Sequence, residues 1–225
     1  MTHRSAKIAL LAVGSFNPPT IMHLRMLEVA RDYVEQQEGG QVVEGILSPV
    51  ADTYGKVGLA SADHRLAMAK AATGNANWIR ADGWECSQKT WTRTLEVLKH
   101  HRDALRHKYN SDIRLKLVVG GDVVDSFTRI LPNGQHLWAP SDIKSIISEF
   151  GLLVITRDCA QPLDTIKQLT HLNGIAEQVA FLSDEVCPCA VSSTRLRTAI
   201  KEGRSIRYAT PDAVIQYIDK HGLYQ

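Results

Sequence analysis

One stretch near the start of the chain restricts the possible folds more than any other. Residues 8–13 form an unbroken apolar run, and Gly14 and the pair Pro18-Pro19 follow within a few positions. The run has the length of a buried strand, and the glycine and prolines indicate a tight loop. From Ile21 onwards, apolar residues recur every three or four positions, which is the spacing of an amphipathic helix. The sequence therefore predicts a strand, a tight loop and a helix, in that order.

The start of this helix is a place where an anion can bind. The prolines exclude helix before Thr20, so Thr20 and His23 fall on the first turn, where backbone N–H groups and the helix dipole favour phosphate. His23 can donate a ring N–H to a phosphate oxygen, and Gly14 lets a nucleotide approach the backbone closely. The spacing alone leaves open a helix histidine without a ligand, because any doubly wound fold has the same strand, glycine and helix order.

The rest of the chain alternates between strand-like and helical segments. Further strands are predicted at 42–47, 78–81, 113–119 and 152–156, and further helices at 62–72, 143–150 and 162–172. Ser87 is predicted to cap a helix whose apolar stripe begins at Trp91, and a closing amphipathic helix begins near Pro211. This alternation predicts an α/β fold, which we expect to form a single domain over residues 1–225.

Composition and charge exclude several classes of protein. The chain is 44% hydrophobic and 22% charged, and its net charge of +2 is too small to indicate nucleic-acid or membrane binding. No apolar run approaches the roughly 20 residues that cross a bilayer. We therefore expect a soluble intracellular protein of the cytoplasm or nucleus, with its four cysteines as reduced thiols. The sequence Cys187-Pro-Cys189 lacks a second close cysteine pair, which argues against structural zinc.

Two segments after the first helix carry side chains suited to ribose or to a flat ring. Asp122 follows Gly120-Gly121 directly after a strand, where a carboxylate can bind ribose hydroxyls, although a turn with a helix cap fits equally. Trp91 can stack on a heteroaromatic ring, with the hydroxyl of Thr94 nearby. The spacing also allows Trp91 to be the first residue of a core stripe.

A late helix start is the second candidate for phosphate. Ser192, Ser193 and Thr194 are possible caps, and Arg195 and Arg197 follow in the first turn. Cations there oppose the helix dipole, and a polyphosphate would compensate for them. The pattern does not by itself choose between an anion site and an ordinary surface helix.

Two of these motifs together resemble a known family. GSFNPPTIMHL, residues 14–24, resembles the G-x-F-x-P-x-[TH]-x-x-H signature of the nucleotidyltransferase superfamily. VSSTRLR, residues 191–197, resembles the I-S-S-T-x-x-R motif of its eukaryotic-type nicotinamide mononucleotide adenylyltransferase branch, with Val191 in place of isoleucine. The resemblance runs from about Leu10 to Tyr224 through five separated motifs in the same order.

The resemblance implies a fold and a reaction. The fold would be a Rossmann-like doubly wound parallel sheet with flanking helices, in which a helical segment from about residue 190 completes the ATP site. The reaction would join nicotinamide mononucleotide, and nicotinate mononucleotide, to the AMP of ATP, giving NAD or its acid form and pyrophosphate. Mg²⁺ would bind mainly through the ATP phosphates and water, and the protein would be a homo-oligomer without nucleic-acid or membrane partners. Another adenylyl or cytidylyl transferase, or a non-catalytic nucleotide sensor, stays as the alternative.

The resemblance also assigns residues to roles, position by position. His23 would be the catalytic residue, donating to the α-phosphate, and no side chain is expected to ligate a metal. The ATP-binding set would be Gly14, Ser15, Phe16, Thr20, His23, Gly120, Asp122, Ser192, Ser193, Thr194 and Arg197. The mononucleotide-binding set would be Ser15, Lys56, Trp84, Glu85, Trp91, Thr94 and Trp138. The loop that carries Trp138 is longer than the family's usual form.

Overall fold

A computed structural model describes residues 5–55, 57–156, 160–172, 174–188 and 190–225. Lys56, assigned above to the mononucleotide, and Cys189, part of the Cys-Pro-Cys sequence, lie outside these described residues. Along the described ranges, no helix is both long enough and apolar enough to cross a membrane.

Six strands form one sheet within the described part of the chain. The strands are β1 Lys7–Gly14, β2 Gln41–Pro49, β3 Ile79–Ala81, β4 Arg114–Gly120, β5 Leu152–Ile155 and β6 Val179–Leu182. They lie in the order β3-β2-β1-β4-β5-β6, and β1 pairs with β4 in parallel from Ile8 opposite Arg114 to Leu11 opposite Leu117. The pairs β2-β3, β4-β5 and β5-β6 are parallel as well. The predicted doubly wound parallel sheet is confirmed, with the strand order reversing beside β1.

Helices connect these strands. They are α1 Ile21–Gln36, α2 Ala62–Thr73, α3 Thr94–Tyr109, α4 Gly121–Asp125, α5 Pro140–Ser145, α6 Pro162–Gln168, α7 Ser193–Lys201 and α8 Asp212–His221. Single 3₁₀ turns lie at Asp52–Tyr54, Glu85–Ser87, Ser126–Thr128, Thr170–Leu172 and Ala176–Gln178, and a π turn at Ile146–Phe150 extends α5.

Contacts divide the chain into two compact units. The first unit consists of Met1–Leu11, Met26–Val43 and Thr94–Pro188, and the second of Ala12–Arg25, Glu44–Arg93 and Cys189–Gln225. The first unit is built on β4 and β5, whose apolar side chains, such as Leu117 and Val154, are completely buried. In the second unit α7 and α8 pack on α2 through a buried cluster that includes Met68, Leu196 and Val214. Both units therefore have an apolar core of their own.

Two of the predicted elements differ from the structure, and one strand was not predicted. The prediction that Ser87 caps a helix containing Trp91 is wrong. The helix α3 begins at Thr94, and Trp91 lies before it with 45% of its surface exposed. The reason is that the Ser87 hydroxyl donates to the carbonyl of Trp84 at 2.7 Å, which closes a separate 3₁₀ turn. The helix predicted at 162–172 ends at Gln168, and β6 was not predicted, because four residues are too few to show a periodicity.

Candidate functional site

The loop that follows β1, residues 14–20, is closely packed in the second unit. β1 ends at Gly14, whose carbonyl accepts a hydrogen bond from the backbone N–H of Val50 at 3.0 Å. Phe16 is buried and has a φ of 43°. Its ring packs edge-on against the imidazole of His23, with the two ring centroids 5.0 Å apart. The loop therefore brings its own aromatic side chain against the histidine that the sequence singled out.

The imidazole of His23 is oriented by the residue that precedes α1. The backbone N–H of Thr20 donates to Nδ1 of His23 at 2.8 Å, and the Thr20 hydroxyl oxygen lies 2.9 Å from the same nitrogen. A backbone N–H can only donate, so Nδ1 is the acceptor, and the neutral ring carries its proton on Nε2. The geometry thus turns His23 into a donor through Nε2.

The first turn of α1 is less open to phosphate than the sequence suggested. The backbone N–H of Ile21 donates to the carbonyl of Ala209 at 3.1 Å, and that of His23 donates to the carbonyl of Thr20 at 3.1 Å. Both of these backbone N–H groups therefore already have a protein acceptor, and phosphate binding at this helix start stays a prediction.

The 14–20 loop is held by side chains from the segment 190–225. Three consecutive carbonyl groups each accept one side-chain hydrogen bond. The pairs are Asn17 O with Arg197 Nη1 at 2.8 Å, Pro18 O with Ser193 Oγ at 2.8 Å, and Pro19 O with Thr210 Oγ1 at 2.7 Å. Ser193 and Arg197, which the resemblance assigned to the triphosphate, are thus brought to the loop that leads into α1, the helix of His23.

The start of α7 has the predicted cap. The hydroxyl of Ser192 accepts from the backbone N–H of Arg195 at 3.3 Å, as an N-cap residue does. The hydroxyl of Thr194 accepts from Nη2 of Arg197 at 3.4 Å. Arg195 lies on the first turn of this helix, as predicted, and Arg197 lies directly after that turn, so two guanidinium groups make this end of α7 cationic.

Asn17 and Arg65 connect the loop to the segment after β2, and sequence reasoning missed both. Asn17 donates to the carbonyl of Gly58 at 2.9 Å, and its Oδ1 accepts from the Tyr224 hydroxyl at 2.6 Å. Arg65 is completely buried and donates to the carbonyl of Ser15 at 3.2 Å.

Arg65 also reaches two positions of the segment after β2. Its Nε donates to the carbonyl of Ala60 at 2.9 Å, and its Nη2 pairs with Asp52 at 2.9 Å. A signal for Arg65 was present, because it stands between Ala62 and Ala69 on the apolar face of α2, where a charged residue needs buried partners.

Glu85 is a buried carboxyl group next to the end of β2. It is 4% exposed and accepts a hydrogen bond from the Ser48 hydroxyl at 2.5 Å. Burial raises the pKa of Glu85 to about 7, against the smaller lowering effects of the Ser48 hydrogen bond and the charge of Arg65. Glu85 therefore binds a proton near neutral pH.

Trp84 and Trp91, which the resemblance assigned to the mononucleotide, lie in the second unit, like Glu85. The backbone N–H of Trp84 donates to Oδ1 of Asp82 at 2.8 Å, which closes the turn that holds it. Trp91 is 45% exposed, and the guanidinium carbon of Arg93 lies 5.9 Å from its ring centroid. An exposed indole face is the requirement for stacking on a planar ligand.

The remaining predicted residues lie in the first unit. Gly120 ends β4, and a Cβ added there would stand 2.5 Å from Oδ1 of Asp122, so the carboxylate of Asp122 lies close over the Cα of this glycine. Trp138 donates from its indole N–H to the Ser126 hydroxyl at 2.9 Å. Thr94 is the first residue of α3.

Within the described residues, no three His, Cys, Asp or Glu side chains are grouped so that they could hold a metal ion.

Comparisons with known proteins identify the family to which the chain is similar. A family model described as cytidylyltransferase-like matches residues 11–199. The chain is 56% identical over 220 residues to nicotinamide/nicotinic acid mononucleotide adenylyltransferase 2 of Caenorhabditis elegans, covering 97% of this chain and 98% of that protein. It is 37% identical over 259 residues to nicotinamide/nicotinic acid mononucleotide adenylyltransferase 1 of Bos taurus, covering 97% and 89% of the two proteins.

A solved structure has a similar fold. The structure of nicotinic acid mononucleotide adenylyltransferase from Plasmodium falciparum complexed with NaAD superimposes with a TM-score of 0.68 over 97% of both chains. The two sequences are 17% identical, so this similarity concerns the fold alone.

Proposed function

The chain belongs to the nicotinamide/nicotinic acid mononucleotide adenylyltransferases, and on that premise we propose which of its atoms carry the reaction. The enzyme joins a pyridine mononucleotide to the AMP of ATP, which yields NAD or its acid form and pyrophosphate in NAD biosynthesis. One observation carries the proposal. The backbone N–H of Thr20 donates a hydrogen bond to Nδ1 of His23, so the neutral imidazole has its proton on Nε2.

The chemistry is a direct displacement at phosphorus. The 5′-phosphate oxygen of the mononucleotide attacks the α-phosphorus of ATP and forms a new P–O bond. The bond between the α-phosphorus and its bridging oxygen breaks, and pyrophosphate leaves with the electron pair. Such transfers depend on alignment and on donors aimed where charge develops. We assign that donor role to Nε2–H of His23, directed at an oxygen of the α-phosphate.

The other phosphates of ATP are assigned to the start of α7. Arg197 and Ser193 place a cation and a hydroxyl beside the 14–20 loop, and Ser192 and Thr194 lie on the same turn. A guanidinium group has five N–H donors, so Arg197 can bind a phosphate while it donates to the loop carbonyl. In this arrangement Gly14, Ser15, Phe16 and Thr20 form the backbone against which the triphosphate lies.

The two nucleosides are assigned to the remaining predicted residues. Gly120 and Asp122 would bind the ribose of ATP, as a carboxylate beside a strand end does in related folds. The pyridine ring would stack on the half-exposed indole of Trp91. The resemblance to the family also assigns Trp84, Glu85, Thr94 and Trp138 to the mononucleotide, with Ser15 and Lys56 at its phosphate.

We propose that ATP enters as its magnesium complex. Mg²⁺ keeps several waters and takes few protein ligands when phosphates are available, so the nucleotide itself supplies most of its coordination. On this proposal the segment from about residue 190 completes the ATP site. Three further expectations stay predictions: that the protein is a homo-oligomer, that it has no nucleic-acid or membrane partner, and that it is located in the cytoplasm or nucleus.

The test is pyrophosphate release from MgATP with nicotinamide mononucleotide, nicotinate mononucleotide or buffer. Comparing the rates of pyrophosphate release with the two acceptors shows whether the enzyme prefers the amide or the acid mononucleotide. His23→Ala should lower kcat by about 10² to 10³, as the loss of a preorganised donor does. His107→Ala, on the exposed side of α3, is the matched control and should turn over at the wild-type rate. Wild-type turnover of His23→Ala would remove His23 from the mechanism.

A further inference from the structure

We propose that Thr210 is a positioning residue for adenylyl transfer, because it holds the imidazole of His23 through a single peptide group. The inference rests on the proposed function, in which His23 donates to the α-phosphate. Thr210 lies just before α8, 187 positions from His23 in the sequence, and no motif of the 14–20 loop points to it.

The peptide group in question joins Pro19 to Thr20. Its carbonyl oxygen, on Pro19, accepts a hydrogen bond from the Thr210 hydroxyl at 2.7 Å. Its N–H, on Thr20, donates to Nδ1 of His23 at 2.8 Å. One peptide plane is thus hydrogen-bonded at both ends, with the Thr210 hydroxyl on one side and the imidazole on the other.

The coupling across this plane has two physical sources. The carbonyl and the N–H of a peptide group rotate together, since the peptide bond is planar, so holding Pro19 O also directs the N–H of Thr20. A donor on the carbonyl also polarises the amide and strengthens its N–H as a donor. Both effects favour the ring of His23 with Nδ1 as acceptor and the proton on Nε2.

Removing the Thr210 hydroxyl would leave a buried carbonyl without its donor. Pro19, Thr20 and Thr210 are all buried, with Thr20 at 0% and Thr210 at 2% exposure. An unsatisfied buried carbonyl is costly, so the peptide plane would turn toward another donor. That turn would move the Thr20 N–H away from Nδ1, and the second tautomer of His23 would become populated.

Thr210 is itself held firmly enough to act as an anchor. The neighbouring carbonyl of Ala209 accepts a hydrogen bond from the backbone N–H of Ile21 at 3.1 Å. Residues 209 and 210 are therefore hydrogen-bonded to the residues immediately before and after Thr20. Pro211 then leads into α8, whose Val214 is completely buried in the apolar cluster of the second unit. The hydroxyl of Thr210 therefore has a position set by the core.

The experiment compares Thr210→Val, which replaces the hydroxyl with a methyl group of similar size, with Thr210→Ser, which keeps the hydroxyl. Thr210→Val should lower kcat about tenfold, the change expected for one hydrogen bond of ordinary net strength, with both KM values within about twofold of wild type. Thr210→Ser should restore kcat to within about twofold of wild type. Equal kcat for Thr210→Val and wild type would overturn the inference.

A spectroscopic measurement reports on the tautomer directly. In protein labelled with ¹⁵N-histidine, the ring signals of His23, identified by their absence in His23→Ala, should show a protonated Nε2 and an unprotonated Nδ1. In Thr210→Val the signals should shift toward a mixture of tautomers. A wild-type ring protonated on Nδ1 would overturn the inference even if Thr210→Val does not fold.

A double variant separates this inference from the proposed function. If Thr210 acts through His23, Thr210→Val should cause no further loss of kcat in a His23→Ala background. A further tenfold loss in that background would show that Thr210 acts by another route, and would leave the role of His23 intact. Wild-type turnover of His23→Ala alone would instead remove the proposed function on which the inference rests.

Discussion

Replacing Glu85 with glutamine should remove a pH dependence from the free energy of unfolding. Glu85 is 4% exposed, and burial raises its pKa from the ordinary 4.5 to about 7. Between these values the native protein keeps the proton that the unfolded chain releases. The stability contributed by protonated Glu85 is therefore fully present below pH 4.5 and is lost as the pH rises through 7.

The size of the effect follows from the two pKa values. Each tenfold difference in proton affinity is worth about 1.4 kcal/mol, so the interval from 4.5 to about 7 corresponds to about 3 kcal/mol. Glutamine is neutral at every pH and keeps an oxygen that can accept the Ser48 hydroxyl. At pH 8 we therefore expect Glu85→Gln to exceed the wild type in free energy of unfolding by up to about 3 kcal/mol, and to match it near pH 4.

The assay is urea denaturation of the ligand-free protein at intervals from pH 4 to pH 8, followed by tryptophan fluorescence. The difference between Glu85→Gln and wild type isolates Glu85, because the other titratable groups are common to both. Glu96→Gln is the control: its side chain is 57% exposed in a surface pair with Lys99, so its difference should stay within about 0.5 kcal/mol. A Glu85→Gln difference that is the same at every pH would mean that native Glu85 is already ionised, and the reasoning from burial would be wrong.

Two further substitutions test the framework around the site. Arg65→Met should lower the free energy of unfolding by about 3 kcal/mol, because it leaves the carbonyls of Ser15 and Ala60 without their donor, whereas Lys99→Met on the surface should change it by at most about 0.5 kcal/mol. Urea denaturation measures both, and equal effects would contradict the role of Arg65. Gly120→Ala should raise KM for ATP about tenfold with little change in Tm, because its methyl group displaces the carboxylate of Asp122; an unchanged KM would argue against a ribose contact by Asp122.

Local patterns in the sequence were sufficient for much of the architecture. The apolar run at 8–13, the prolines and the helical spacing from Ile21 correspond to β1, the 14–20 loop and α1, because strands and helices are encoded by contacts two to four residues apart. The same reasoning failed at Trp91. There the helical spacing was present, but a side-chain hydrogen bond from Ser87 formed a separate turn, and α3 began later.

The sequence by itself therefore determined the α/β alternation of strands and helices, the two helix starts with their hydroxyl, histidine and arginine side chains, and the family. Only the tertiary structure decided how these parts hold one another. Thr210 and Pro19 are 191 positions apart, and Arg197 and Asn17 are 180 apart, yet each pair shares a hydrogen bond that fixes the 14–20 loop just before the helix of His23. No periodicity can encode such pairs, because they form only when the packing of α7 and α8 on α2 brings the segment 190–225 against the 14–20 loop.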